Sequence, residues 1–458
     1  MKALALIDGE HYLPVNKAAL EELSSKRGYE WVGAVFLGGM EKVGSPEDLR
    51  DLGLPLVLEG EMLERVARAV EQFRPDVAVD LSDEPVVGYR ERFQIANLLL
   101  GHEVTYEGAD FRFTPPEYHD VCEKPSLSVV GLAKRVGKTA IGAFAARVLK
   151  GGESGCEGRW NPCVVTMGRG GPPEPMVLHG EELEMTAEFL LERARAGEHA
   201  ASDHFEDALM GRVTTIGCRR CGGGMSGLVF TSVVEEGALV ANSLPNDFVI
   251  FEGSGATIPP IRTDACIVTV GADQPEEYIN GYFGPYRVTR GDLIVLTMCE
   301  EPMASPKKVA RVSQLVRWLK PEARVIETVF RPQPIGQVSD RKLFFITTAP
   351  EEIGVTLRGY LEAQYKCKVV AGSHRLSNRP ALREDFALAL AGEERPDTVL
   401  VELKAAAVDV VTELALKEKL GVVYCDNVPV TVGGDGDLAE EIVALAEQAA
   451  RRYAERKG

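Results

Sequence analysis

The sequence predicts an α/β protein with a mostly parallel sheet, for three reasons. Short β-branched apolar runs alternate with helix-like segments along nearly the whole chain. One such run breaks at glycine and closes on Gly-Lys-Thr just before a helix-like stretch. Acids and glycine clusters recur where apolar runs stop, the place where parallel sheets gather ligands. With 458 residues, 45% of them hydrophobic and 26% charged, the chain suits two or three globular domains with sizeable cores.

Residues 1–122 are expected to form a small N-terminal α/β domain. Strands are predicted at Ala3–Ile7, Trp31–Leu37 and Val77–Leu81, with helices at Asn16–Lys26 and Gly60–Phe73. Two acid-rich segments follow strands: Asp8-Gly9-Glu10-His11-Tyr12 and Asp80-Leu81-Ser82-Asp83-Glu84-Pro85. They suit a ligand at strand ends, and equally well helix caps and turns. Phe111–Pro125, with Pro115, Pro116 and Pro125, reads as a linker.

The middle stretch, 123–335, opens on Ser126-Leu-Ser-Val-Val-Gly131-Leu-Ala-Lys134-Arg135-Val136-Gly137-Lys138-Thr139-Ala140, followed by a helix to Lys150. Strand, loop and helix in that order make a phosphate-binding loop, or P-loop, and hence a P-loop NTPase-like core. Amides at the helix N-terminus would surround the phosphates, with Lys134, Arg135, Val136, Gly137, Lys138, Thr139 and Ala140 as the nucleotide-binding set. Lys138 would reach the β- and γ-phosphates, and the Thr139 hydroxyl would hold magnesium. Gly131 stands one residue earlier than the usual pattern places its first glycine, and Leu132 occupies that place. The plainer alternative is an ordinary strand-to-helix turn with solvated basic residues.

After a flexible turn at Gly151–Gly158, a strand at Pro162–Thr166 runs into Met167-Gly168-Arg169-Gly170-Gly171-Pro172. An arginine among glycines lets a guanidinium and free amides meet a phosphate together, so Arg169 and Gly170 are candidate substrate contacts. A helix from Leu183 to Ala196 then leads to His199 and His204. Five residues apart, these histidines do not share a helix face, which favours substrate contact or capping over metal. In Cys218-Arg219-Arg220-Cys221-Gly222-Gly223-Gly224, a lone Cys-x-x-Cys is weak for zinc or redox chemistry. Two guanidiniums beside three glycines instead suggest an anion-binding loop. The strand Asp247–Phe251 ends at Glu252-Gly253-Ser254-Gly255, where an acid at a strand tip suits a second magnesium contact. The plainer alternatives are a glycine-rich turn with a solvated arginine for Arg169, a structural loop for Arg219 and Arg220, and a strand-terminal glutamate before a turn for Glu252.

Strands are predicted at Ala265–Val270, Asp292–Met298 and Arg324–Phe330, with a helix at Val309–Leu319 and a turn at Phe330-Arg331-Pro332-Gln333-Pro334. Thr297-Met298-Cys299-Glu300-Glu301 stands where a guanine reader of the Asn-Lys-x-Asp type would be, so adenine is preferred. From 336 to 458 a C-terminal α/β region continues with strands at Leu343–Thr348, Lys368–Val370, Thr398–Leu403 and Gly421–Cys425, closing on a helix from Asp437 to Glu455. Basic residues recur at His374, Arg375 and Arg379, and Glu402-Leu403-Lys404 lies at a strand end.

A net charge of −18 argues against nucleic acid as the main partner. No apolar run reaches the length of a membrane span, no signal-peptide core opens the chain, and the nine cysteines lack a framework spacing. A reducing cytoplasm is the expected compartment.

Taken together the motifs resemble one family, cyclic 2,3-diphosphoglycerate synthetase. The matching stretches are Asp8–Tyr12, Asp80–Pro85, Gly131–Thr139, Met167–Pro172, His199–Asp203, Arg219–Gly224, Phe251–Gly255 and Asp426-Asn427-Pro429, spread through nearly the whole chain. The resemblance implies an ATP-dependent ligase closing 2,3-bisphosphoglycerate into a cyclic phosphoanhydride, and it suggests a homodimer. ATP is then a substrate and magnesium the metal, at Thr139 and Glu252. Lys138, Arg169 and Arg220 are the expected catalytic residues. Arg169, Gly170, His204, Arg219, Arg220, Gly222, Gly223 and Gly224 are the expected substrate contacts. Rival expectations are a P-loop small-molecule kinase, a ligase of the dethiobiotin-synthetase kind, and a nucleotide-gated regulatory ATPase.

Overall fold

In the computed structural model the chain divides into two compact units, Met1–Glu117 with Pro275–Thr289, and Tyr118–Gln274 with Arg290–Gly458. The structure describes all residues except 152–158, 185, 199 and 201, and the side chain at 46. The expected turn after Gly151 and the His199 candidate therefore lie outside the described residues.

The first unit holds a six-stranded sheet in the order Leu56–Val57, Glu30–Phe36, Lys2–Ile7, Val77–Asp80, Thr105–Glu107, Arg112–Phe113. Neighbours are parallel except the last pair. Its helices are Leu13–Arg27, Met62–Phe73 and Tyr89–Gly101. Met62–Phe73 shows why they pack: Val66, Ala69 and Val70 recur at helical spacing and are all buried. The short Arg112–Phe113 strand falls inside the expected linker, because Phe113 packs into a ring cluster. Phe283, from Pro275–Thr289, lies 5.0 Å from Phe113 and 5.4 Å from Phe93 between ring centroids. Those aromatic contacts tie that distant segment to the first unit.

The second unit is built on a thirteen-stranded sheet among the described residues. One run of parallel strands is Thr214–Cys221, Pro162–Gly168, Phe248–Glu252, Ser126–Gly131, Ala265–Gly271, Leu293–Thr297 and Arg324–Pro334. A second is Gly421–Gly434, Thr398–Glu402, Lys342–Ile346 and Lys368–Ser373. They join through one antiparallel pairing, Arg324–Pro334 with Gly421–Gly434. Two short antiparallel strands, Thr231–Ser232 and Met176–His179, complete the edge. The predicted α/β class with a mostly parallel sheet is observed. The inner strands, buried on both faces, are near-continuous apolar runs, as helix-covered sheets require.

A second expected element differs. Phe330–Pro334 is not a turn but the continuation of the Arg324 strand, with Pro332 opposite Asn427 and Pro334 opposite Cys425. An antiparallel ladder needs amides only at alternate residues. The parallel neighbour on the other side reaches only to Glu327, so both prolines fall where no donor is required.

Lys138–Lys150 runs beneath the sheet centre. Its small residues Ala140, Gly142, Ala143, Ala145 and Ala146 are buried, and Ile141, Phe144 and Leu149 share a core with Leu438, Ile442 and Leu445 of the final helix.

Candidate functional site

Chain geometry explains the early glycine of the phosphate loop. Gly131 closes the Ser126–Gly131 strand, and Leu132–Gly137 form the loop before the helix at Lys138. A Cβ on Gly131 would stand 2.9 Å from Lys138 Cδ, so the lysine side chain lies across that backbone. Its Nζ donates to Ala133 O at 2.9 Å. Arg135 at φ 67° and Gly137 at φ 81° turn the loop, and the Phe330 ring occupies the space a Cβ on Gly137 would need. Val136 is buried beneath, its carbonyl accepting from Thr297 Oγ1 at 3.2 Å.

Lys138 is 7% exposed. Burial pushes its ammonium down to about 8, with Glu252 and Asp203 pulling it back up and Lys404 and Arg220 repelling it. Glu252 ends the Phe248–Glu252 strand, 2% exposed, and its Oε1 has no hydrogen-bond partner. A Cβ on Gly142, one helical turn beyond Lys138, would overlap that oxygen. Asp207, on the Asp203–Gly211 helix, is fully buried; no amide, guanidinium or hydroxyl donates to either of its oxygens, and its hydrogen-bonding neighbour is the Glu252 carboxyl. Burial, with repulsion from Asp203 and Glu206, holds both carboxyls well above the usual range; Glu252 raises Asp207 further, while the hydrogen bond between the two acids lowers Glu252.

The arginines come from two loops and a strand. Arg219 and Arg220 do not sit on the glycine-rich loop expected from sequence; they lie on the Thr214–Cys221 strand. Strand alternation sends them to opposite faces. Arg220, 9% exposed, donates from Nη1 to Gly222 O at 2.7 Å and from Nη2 to Ser254 O at 3.0 Å and Ser254 Oγ at 3.2 Å. Arg219 is exposed and donates from Nε to Gly171 O at 2.8 Å. Arg169 repels both Arg220 and Lys134, and Lys134 also feels Arg135. Asp203 attracts Lys134, Lys138 and Arg220, and Arg135 and Arg169 repel Lys134, so the five cations share one electrostatic neighbourhood. None of these five, nor Arg219, takes part in an ion pair among the described residues.

Within the glycine run only Gly222 has a left-handed backbone, φ 74°, with Phe230 lying over it. Gly223 passes close to Thr257 and Arg220, Gly224 bonds back to Leu228, and Gly170 beside Arg169 is open. His204 differs from the other candidates. It is 2% exposed, its ring packs on Gly217, and Nδ1 pairs with Ser202 Oγ at 2.9 Å, so it supports the strand from inside.

Sequence reasoning passed over Asp203, Glu206, Asp207 and Lys404 as site residues. Lys404 Nζ lies 2.9 Å from Glu206 Oε1. Burial raises the Glu206 carboxyl to about 7 even though Lys404 opposes the shift. The available signal was Glu402-x-Lys404 at a strand end, the same logic that singled out Glu252.

Donors suited to magnesium are present: the Thr139 hydroxyl at the helix start and the orphaned Glu252 oxygen. One or two protein oxygens are what this ion takes when phosphates supply the rest. Among the described residues no group of three or more His, Cys, Asp or Glu could hold a metal by itself.

Three family models match the chain in order: the cyclic 2,3-diphosphoglycerate synthetase N-terminal domain at residues 2–114, its P-loop domain at 126–329, and its C-terminal domain at 334–428. The chain belongs to the cyclic 2,3-diphosphoglycerate synthetase family. Curated relatives bearing that name agree along almost their full length. The protein of Methanothermus fervidus is 47% identical, with 98% of this chain and 97% of the relative covered. That of Methanothermobacter thermautotrophicus is 46% identical, covering 99% and 98%. That of Rubrobacter xylanophilus is 49% identical, covering 96% of each. Among the described residues no helix is long and apolar enough to cross a membrane, and the eight described cysteines are unpaired.

Proposed function

We propose that this protein is an ATP-dependent ligase that joins the two phosphates of 2,3-bisphosphoglycerate into a cyclic phosphoanhydride, releasing ADP and inorganic phosphate. The observation that carries the reading is a cluster of cations with no direct ion-pair partner among the described residues. In a chain of net charge −18, Lys134, Arg135, Lys138, Arg169 and Arg220 converge without carboxylate ion pairs, a cost that a polyanion repays.

The phosphate loop, Lys134 to Ala140, holds the ATP phosphates through helix N-terminal amides and Lys138. Thr139 and Glu252 would hold a magnesium ion, which supplies charge neutralisation between ATP phosphates. Arg169 with Gly170, Arg220, and the Gly222–Gly224 backbone hold the bisphosphoglycerate, with Arg219 at the outer face. His204 contributes by keeping Gly217 and its strand in place. A substrate phosphate oxygen attacks the γ-phosphorus of ATP, and the bond to the β-phosphate oxygen breaks, releasing ADP. The neighbouring phosphate then attacks the activated phosphorus and expels inorganic phosphate, closing the ring. Both nucleophiles are already ionised at neutral pH, so no protein base is needed. Positioning and charge neutralisation carry the rate.

Phosphorus NMR of the protein with ATP, magnesium and 2,3-bisphosphoglycerate tests this. A cyclic product with stoichiometric ADP and phosphate is expected; a phosphorylated acceptor without free phosphate would instead identify a kinase. ATP turnover that ignores the acid would identify a regulatory ATPase. Arg220→Ala is expected to weaken bisphosphoglycerate capture far more than ATP capture.

A further inference from the structure

We propose that Gln274 reads the base of the bound nucleotide, its amide oxygen accepting a hydrogen bond from the 6-amino group of adenine. The proposal rests on the nucleotide assignment above and deepens it, since the sequence favours adenine without supplying a residue that recognises it.

The side of the phosphate loop on which the base lies follows from strand order. Ser126–Gly131 runs between Phe248–Glu252 and Ala265–Gly271, parallel to both, so the three strands end on one edge of the sheet. Beyond Phe248–Glu252 come Pro162–Gly168 and then Thr214–Cys221. Glu252, Arg169 and Arg220, the groups assigned to magnesium and to the phosphorylated acid, all belong to that side. The other side is made by Ala265–Gly271, Leu293–Thr297 and Arg324–Pro334. There Arg331 is engaged by Glu300 at 2.5 and 2.7 Å, Lys308 donates to Asp273 O, and the Phe330 ring lies against Gly137 of the loop. A triphosphate that points its γ-phosphate at the charged side therefore carries its base over the opposite one.

Gln274 stands on that opposite side, just after the Ala265–Gly271 strand, in a turn where its backbone amide donates to Gly271 O at 3.2 Å. A Cβ on Gly271 would meet Gln274 Cγ at 3.1 Å and Val136 Cγ1 at 3.3 Å, so both side chains lie over one glycine. The turn is also tied to the phosphate loop through Thr297. Ala272 N donates to Thr297 O at 2.9 Å, and Thr297 Oγ1 donates to Val136 O at 3.2 Å.

Gln274 Oε1 is buried and accepts no hydrogen bond among the described residues. A buried amide oxygen without a donor is costly, and turning the amide over would orphan an N–H in its place. The Asp273 carboxylate reaches the same glycine, but Asp273 is exposed, where water satisfies it. A side-chain amide suits adenine in particular. Its oxygen takes a hydrogen of the 6-amino group while its NH₂ donates to the adjoining ring nitrogen. A Gln274 that served only the turn would be indifferent to the substituent at that carbon.

That substituent supplies the test. Affinities for ADP, for purine riboside 5′-diphosphate, which lacks the 6-amino group, and for pyrophosphate, each with magnesium, would be measured by calorimetry on wild type and Gln274→Met. The Met side chain keeps the bulk over Gly271 and removes the amide. Wild type is expected to bind ADP about tenfold more tightly than the purine analogue, the size of one hydrogen bond to a buried acceptor. The variant is expected to bind the two about equally, with pyrophosphate affinity as in wild type. The same preference for ADP in both proteins, or none in wild type, would overturn the proposal. So would a fall in pyrophosphate affinity that matches the fall for ADP, because Gln274 would then support the phosphate loop rather than read the base. Should the Met variant fail to fold, the smaller Gln274→Ala is read in the same way. Absence of ADP binding from wild type would refute the nucleotide assignment and the proposal together. ADP binding without a cyclic product in phosphorus NMR would refute the synthetase reading alone, while the comparison of bases still judged Gln274.

Discussion

The two units each place carboxylates at the tips of parallel strands, yet treat them in opposite ways. In the first unit Asp8 is fully buried, accepting from His11 Nδ1 at 2.8 Å, Glu10 N at 3.1 Å and Asp83 N at 2.6 Å. Asp80 accepts from Arg92 Nε at 3.0 Å, Tyr106 OH at 2.7 Å and Ser82 N at 2.9 Å. Both acids are saturated and serve as anchors for their loops. In the second unit Glu252 and Asp207 are equally buried, but no amide, guanidinium or hydroxyl donates to Glu252 Oε1 or to either Asp207 oxygen, and the two acids lean on each other instead. Unsatisfied buried carboxylates are costly, and a protein retains them where a ligand, an ion or a mobile cation completes the set. The state of hydrogen bonding, rather than position at a strand end, separates scaffold from site.

The sharpest way to break that contrast is Lys138→Ala. Lys138 is the cation that offsets Glu252 and the group assigned to the ATP phosphates. Loss of a preorganised charge aimed at developing anions costs about 10²–10³-fold in rate. ADP release should fall by at least that factor while circular dichroism and melting show an intact fold. Full turnover would remove the nucleotide site from this loop.

Much of this was legible in the sequence, and what was not has a physical cause. Gly-Lys-Thr after a buried strand and Glu252 before Gly253 are local signals, because one strand and the loop after it fix their geometry. Arg219 and Arg220 were legible as residues but not as a strand pair. Three following glycines outweighed the β-branched Thr214-Thr215-Ile216 that precede them, and the opposite-face arrangement was lost. Lys404 and Asp207 reach the site only through tertiary folding, Lys404 by the antiparallel joint at Arg324–Pro334 and Gly421–Gly434. That joint was hidden by Pro332 and Pro334, which imitate a turn.

A second strike at the contrast is Gly142→Ala. On helix propensity alone the change would stabilise by about 1 kcal/mol. Here the new methyl overlaps Glu252 Oε1, so overpacking of about 1–3 kcal/mol is expected to win. The melting temperature should fall and the rate should drop with it as the carboxylate is displaced. A more stable, fully active variant would mean that Glu252 does not need its observed position.

The saturated acids supply the opposite control. Asp80→Asn keeps the shape but removes the charge that Arg92 and Tyr106 address. A loss of about 1–3 kcal/mol in stability is expected, read from denaturant unfolding of the full chain. The kcat of the remaining folded protein should be unchanged, and a large fall in kcat would move Asp80 from scaffold to site.

The smallest effect concerns Glu206, which stands between the two classes: buried, with one partner, and raised to about 7. A carboxyl with a folded value above its unfolded one keeps its proton longer in the native state. Between the ordinary value of 4.5 and about 7 the folded protein therefore binds more protons than the unfolded chain, and stability falls as pH rises through that window. Glu206→Gln cannot ionise, so the stability advantage of wild type over the variant should shrink or reverse from about pH 5 to about pH 8. Each pH unit between the folded and unfolded values is worth roughly 1.4 kcal/mol, which limits the change to a few kcal/mol. The comparison is made by urea unfolding at each pH, which cancels the titration of every group the two proteins share. A difference that grows in favour of wild type as pH rises would show that the Lys404 pairing outweighs burial, and would place Glu206 with the anchored acids of the first unit.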